Sequence, residues 1–184
     1  MADKLIEPQT VLDFWFVEID EACWFRKDES FDAVIRERFG ELHHRAVRGE
    51  LFRWRQTPEG RLAEIIVLDQ FSRNIYRDHP LAFAWDGMAL SLAQEAVARG
   101  QDRLLSASWR VFLYMPYMHS ESRVIHDEAE RLFAQAGLED NYRFELRHKE
   151  IIARFGRYPH RNQILGRPST PDELSFLTMP GSSF

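Results

Sequence analysis

Cysteine is almost missing from this 184-residue chain: Cys23 is the only one, so no disulfide can close within it. That agrees with a reducing compartment, and the cytoplasm is the expected location. Long apolar runs are missing too, since no stretch approaches the roughly 20 uncharged residues that a bilayer-spanning helix needs. The opening residues Met1 to Pro8 carry acids early and no apolar run, unlike a secretory leader. Positive charge is in deficit, with a formal net charge of -5 and a pI near 5.8. The chain as a whole is therefore no natural partner for nucleic acid or another polyanion. Strand alternation is nearly absent. So are a Walker-type glycine loop, a dinucleotide fingerprint after a strand, HExxH and GxSxG. Cys23, beside Trp24, lacks the nearby histidine motif of a nucleophile. No pair among His119, His126, His148 and His160 has metal-ligand spacing, so neither a metal nor another cofactor is expected.

What is present is core material and helix punctuation. Hydrophobic residues make up 45% and aromatic residues 13% of the chain, enough to build a large core in one domain spanning residues 1–184. Ser30 precedes Phe31, Val34, Ile35, Phe39, Leu42 and Ala46, whose spacing paints one face of a helix ending near Gly49. Thr57-Pro58-Glu59 supplies a cap, a first-turn proline and an acid, opening a helix that runs to about Tyr76 and stops before His79-Pro80. Further helices are expected over about 84–99, 108–118, 120–136 and 140–155. Thr170-Pro171-Asp172-Glu173 is a capping box for a short C-terminal helix followed by a tail to 184. Residues 156–169 read as an ordered basic loop. Short connections predict an all-α fold of antiparallel helix hairpins, either a tetratricopeptide-like array or an irregular bundle.

Some polar residues sit where apolar ones are expected. The helix after Thr57 is apolar on every side around Ile65 to Leu68, yet its core-facing row continues into Asp69, Arg73 and Arg77. Buried charges there need partners, because an unpaired buried ion costs several kcal/mol. Either the pair Asp69 and Arg73 locks neighbouring helices together, or it belongs to a ligand site. Arg110, Tyr114 and Tyr117 share a face of the next apolar segment, which leads into His119-Ser120-Glu121. Ser120 can cap the following helix and Glu121 can meet its positive end. His148 lies on the apolar stripe Phe144, Ile151, Ile152 and Phe155, as a satisfied core histidine does. From 154 to 171 there are four arginines and no acid, within a chain that is net negative. Such a cluster seeks negative groups, either the chain's own or a ligand's.

Four blocks together resemble a known family. They are Phe14-Trp15-Phe16 with Trp24-Phe25; Leu68-Asp69-Gln70-Phe71-Ser72-Arg73-Asn74-Ile75-Tyr76-Arg77; Met115-Pro116-Tyr117-Met118-His119-Ser120-Glu121; and Arg154 to Asn162 with Leu165-Gly166-Arg167. On these blocks the chain resembles, over nearly its whole length, the bacterial family catalogued as domain of unknown function 924. The resemblance implies a fold similar to the tetratricopeptide-like helical superfamily and brings no reaction, cofactor or catalytic residue. Ser72 stands where the family pattern has proline, and Val124 to Glu128 is poorer in glutamine than that pattern.

Two functional readings follow from the misplaced polar residues. In the first, a pocket binds a small anionic molecule. Arg73, Arg77, Arg157 and Arg161 hold the anion, Asn74 and Asn162 orient it, and Tyr114 or Tyr117 donates to it. His119 and His160 are the acid–base candidates, with Asp69 and Glu121 setting tautomers or balancing arginines. In the second, stacked hairpins form a scaffold for a peptide or protein partner, and the polar blocks rivet the stack. Both readings expect Asp69, Arg73, His119, Glu121, Arg157, His160 and Arg161 to converge. In the first, three arginines against two carboxylates leave one guanidinium for the ligand.

Overall fold

A computed structural model describes residues 6–183. The first five residues and Phe184, which close the two expected termini, lie outside the described residues. The chain begins with α1 (Pro8–Asp13), which passes directly into a π-helical turn over Phe14–Glu18. α2 (Glu29–Val47) follows, and then α3 (Pro58–Ile66), a second π turn (Val67–Phe71) and α4 (Ser72–Ile75), which together form one continuous rod. α5 (Asp86–Ala98), α6 (Ala107–Met118), α7 (Arg123–Phe133), α8 (Glu139–Phe155) and α9 (Pro171–Leu177) complete the order. No strand occurs among the described residues, and the all-α expectation holds.

The α3–α4 rod is central because its sequence leaves it no polar face. Every residue from Gly60 to Ser72 is buried. α1, α5 and α6 pack on α3, and α2 packs on the second π turn and α4. α6, α7 and α8 then pack in succession through the short connections 119–122 and 134–138, which forces neighbours to run antiparallel. Aromatic rings fill the middle: Phe39 sits 4.9 Å from both Phe14 and Phe71, and Trp24 lies 4.8 Å from Phe112. A second, smaller apolar group of Ile151, Ile152 and Tyr158, with Phe155 and Phe176 against it, seats α9 on α8.

The capping signals act mostly where expected. Thr57 Oγ1 accepts from Gly60 N at 3.0 Å, and Thr170 and Glu173 form the full capping box, with bonds of 3.2 and 2.8 Å. Gly156 takes φ +69° and ends α8 in the left-handed region that a side chain disfavours. α2 is capped by Asp28, whose carboxylate reaches the Ser30 and Phe31 amides at 3.0 and 3.1 Å and adds negative charge at the helix start. One capping assignment changes. Ser120 caps nothing: α7 begins at Arg123, and the 120 carbonyl is used instead, as described below. On α8, Phe144 is exposed rather than part of the buried stripe. His148 is buried and donates its Nδ1–H to the Phe144 carbonyl at 2.7 Å. No helix is long and apolar enough to cross a membrane among the described residues.

Candidate functional site

The second π turn places Asp69 where no water reaches it, at 0% exposure. π turns are rare interruptions of helices and recur at functional sites. Its Oδ1 meets His119 Nδ1 at 2.8 Å and Arg73 Nη1 at 3.1 Å, while Oδ2 accepts from Gln70 Nε2 at 2.6 Å. Burial opposes the charge, but Arg73, His119 and Gln70 more than offset it and hold the carboxyl well below the usual range. Asp69 is therefore an anion at neutral pH and fixes the imidazole with its proton on Nδ1.

His119 follows the last turn of α6, so its ring stands at a helix end rather than inside the bundle. Burial first, and then Arg73, push its pKa down, against the pull of Asp69. The ring is accordingly neutral at pH 7. With Nδ1 donating to Asp69, Nε2 carries a lone pair, and it meets no hydrogen-bond partner among the described residues.

That ring lines a cavity of about 310 Å³ between the start of α5, the end of α6 and the basic loop. Phe83, Leu90, Pro116 and Leu165 give it an apolar wall. Asp86, Ser120, Glu121 and Arg161 join His119 on the polar side. Asp86 opens α5 and accepts from Arg73 at 3.0 and 3.1 Å and from Arg161 at 3.3 Å. Arg161 is clamped between the rings of Phe83 and Tyr158, at 4.5 and 4.7 Å, and donates to the His119 carbonyl at 3.1 Å. Its Nε is buried without a partner. The charges of Asp69 and Asp86 balance those of Arg73 and Arg161.

Of the expected set, the structure brings Asp69, Arg73, His119 and Arg161 into one network, with Glu121 on the same cavity. Arg157 does not join them; it pairs with Glu173 of α9 at 2.6 and 2.8 Å. Glu121 receives Arg167 at 2.6 and 2.9 Å and the Tyr158 amide at 2.7 Å, so its partner is the basic loop rather than the start of α7. Asn74 and Arg77 belong to another network, both bonding to the buried Asp32 of α2. The reason is local: the rod ends at Ile75, so Arg77 lies beyond it and leaves the row that Arg73 continues. Asn162 is buried, donating to Ser169 and accepting from Arg167. His160 stands beside the Tyr158 ring, its pKa pushed down to about 4 by burial and Arg161. Tyr117 is a core residue. Tyr114 donates to Asp102 at 2.6 Å, and burial pushes its hydroxyl up to about 12.

Asp86, Phe83 and Gly87 on the cavity wall are absent from the expected set. An acid in the first turn of a helix is explained by the helix dipole alone, which hides Asp86 in the sequence. The signal was the charge imbalance of three arginines against two carboxylates; with Arg167 taking Glu121 the structure has four arginines, and Asp86 and Glu173 bring the carboxylates to four. Among the described residues, no three or more His, Cys, Asp or Glu side chains gather as metal ligands do.

Residues 11–181 match the family described as "Bacterial protein of unknown function (DUF924)". The fold is shared with a solved protein of unknown function from Agrobacterium tumefaciens, with a TM-score of 0.88 and 38% identity over 92% of this chain and 96% of that one. No curated protein matches the sequence.

Proposed function

We propose a ligand-binding function for this chain, which belongs to the bacterial family of unknown function DUF924: a small anionic molecule is held in the cavity over His119. The observation that carries this reading is the Asp69–His119 contact at 2.8 Å. A carboxylate that only riveted helices would need no imidazole held in one tautomer with its second nitrogen turned to open space. Arg161 and the first turn of α5 at Gly87 face the ligand's anionic group, and His119 Nε2 accepts from a hydroxyl or amine on it. Because the surrounding charges balance, a singly charged anion with an apolar portion for Phe83 and Leu90 suits the site better than a polyphosphate. His119 is neutral and oriented, and so is placed to act as a general base on a ligand proton. The single cysteine supports a cytoplasmic setting.

The test is a titration of the full chain with acetate, small 2-hydroxycarboxylates and inorganic phosphate, followed by imidazole nitrogen shifts. A saturable shift at His119 that disappears in Arg161→Ala supports the site. A flat response to every member of the panel overturns it.

A second reading rests on the pairing of the basic loop, in which Arg157, Arg161 and Arg167 each already hold a carboxylate. In that reading the loop ties the end of the chain to a tetratricopeptide-like stack, and the stack serves a peptide or protein partner. Failure of the titration would leave this one standing.

A further inference from the structure

Three consecutive carbonyls at the end of α6 are each taken by a side chain from elsewhere. Met118 O accepts from Tyr158 Oη at 2.5 Å, His119 O from Arg161 Nη2 at 3.1 Å, and Ser120 O pairs with His126 Nε2 at 2.8 Å. Terminal helix carbonyls have no intrahelical donor, and water or a few exposed side chains commonly satisfy them. Here the donors are buried: Tyr158 is 1%, Arg161 6% and His126 0% exposed. The His119 backbone is thus held on both sides and at its own carbonyl.

His126 has an unusual environment. Its Nδ1 lies 2.7 Å from Oε1 of Glu145, itself 0% exposed, while Nε2 faces the Ser120 carbonyl. A carbonyl only accepts, so Nε2 carries a hydrogen. The contact between Nδ1 and Oε1 also requires a hydrogen, which sits on the imidazole or on the carboxyl. Either placement gives a net-neutral pair with two protons, and both leave Nε2–H aimed at Ser120. The lack of any partner for Glu145 Oε2 fits a carboxyl whose charge is shared or absent.

We propose that His126 and Glu145 are positioning residues for the cavity: His126 holds the turn that carries His119 through the Nε2–H that the Ser120 carbonyl requires, and Glu145 fixes the ring from Nδ1. This rests on the reading of the cavity as a site, but its readout needs no ligand. A purely structural role would cost stability and leave the His119 ring as it is. A positioning role would change the ring, because releasing the 120 carbonyl lets the turn shift against Asp69.

Nitrogen–proton correlation spectra of the imidazoles in the full chain test this. In the wild type, His126 should be protonated on Nε2, and His119 protonated on Nδ1 with a bare Nε2. In His126→Phe, His119 should lose that signature and show a mixture of tautomers, with helical circular dichroism retained. Glu145→Ala should act in the same direction but more weakly, because the ring keeps its Nε2–H for Ser120 and loses only the contact that fixes its orientation. Glu145→Gln should preserve the signature, because its amide can donate to Nδ1 and leave Nε2–H on Ser120. If His126→Phe does not fold, the wild-type spectrum and Glu145→Ala still decide. A bare Nε2 on wild-type His126 overturns the proposal, as does an unchanged His119 in the variants that fold. A changed His119 in a protein that ignores acetate and phosphate would keep the positioning relationship and remove the ligand reading.

Discussion

Asp69 and His119 stand 50 positions apart in sequence, yet meet at 2.8 Å, with the carboxylate fully buried and the imidazole on a cavity wall. The order of burial matters. The inner group is the charged one, so the anion is screened from solvent by the neutral ring it orients. This arrangement fixes the imidazole in one tautomer and is unlike a plain surface salt bridge.

Asp69→Ala should therefore be costly. It removes the carboxylate from Arg73 and from the Nδ1–H of His119 together, leaving Arg73 with Asp86 alone. Breaking a buried pair of this kind costs about 3–5 kcal/mol, readable as a lower urea midpoint at unchanged m-value. Asp69→Asn keeps the shape, and should instead show His119 with altered nitrogen shifts.

The pH behaviour of His119 follows from its lowered pKa. The unfolded ring takes its proton near pH 6.5 and the folded ring only at lower pH. Stability from this group is present above pH 6.5 and is lost as pH falls through the folded pKa. In the folded protein, His119 should still be neutral at pH 6.5 by nitrogen shifts, whereas in Asp69→Ala the lost attraction of Asp69 should lower its pKa further.

Arg77 separates the two polar networks. Its guanidinium holds Asp32 with Asn74 and makes no contact with the cavity. Arg77→Ala should lower stability, because Asp32 is 4% exposed and loses its main counter-charge. It should leave the His119 spectrum and any ligand response alone. Arg161→Ala should disturb both.

At the other end, the Arg157 guanidinium, and after it the capping-box amide of Thr170, lower the pKa of Glu173 from 4.5 to about 2. The stability it gives is complete above pH 4.5 and lost as pH falls toward 2. Glu173→Gln should remove that part of the acid sensitivity. Thr170→Ala should cost on the order of 1 kcal/mol and fray α9, seen as faster amide exchange over 171–177.

Gly60 tests the packing of the rod. A Cβ there would lie 2.0 Å from the Trp54 carbonyl oxygen, which is backbone and cannot swing away. Gly60→Ala should cost about 1–3 kcal/mol, although alanine is the better helix former, and the midpoint of thermal unfolding would report it.

By itself the sequence determined what depends on neighbours in the chain. The helical class, the caps at Thr57 and Thr170, the buried rod around Ile65 to Leu68 and the misfit of Asp69 and Arg73 are all set by spacing and side-chain chemistry within a few turns. The tertiary structure decided the pairings, since nothing local distinguishes one guanidinium from another. Arg73 and Arg161 reach Asp86 because the start of α5 docks between them, Arg77 reaches Asp32 because the rod stops at Ile75, and Arg157 reaches Glu173 because α9 folds back. Charges that must leave water take the partner that packing brings within reach, and packing is a property of the whole chain.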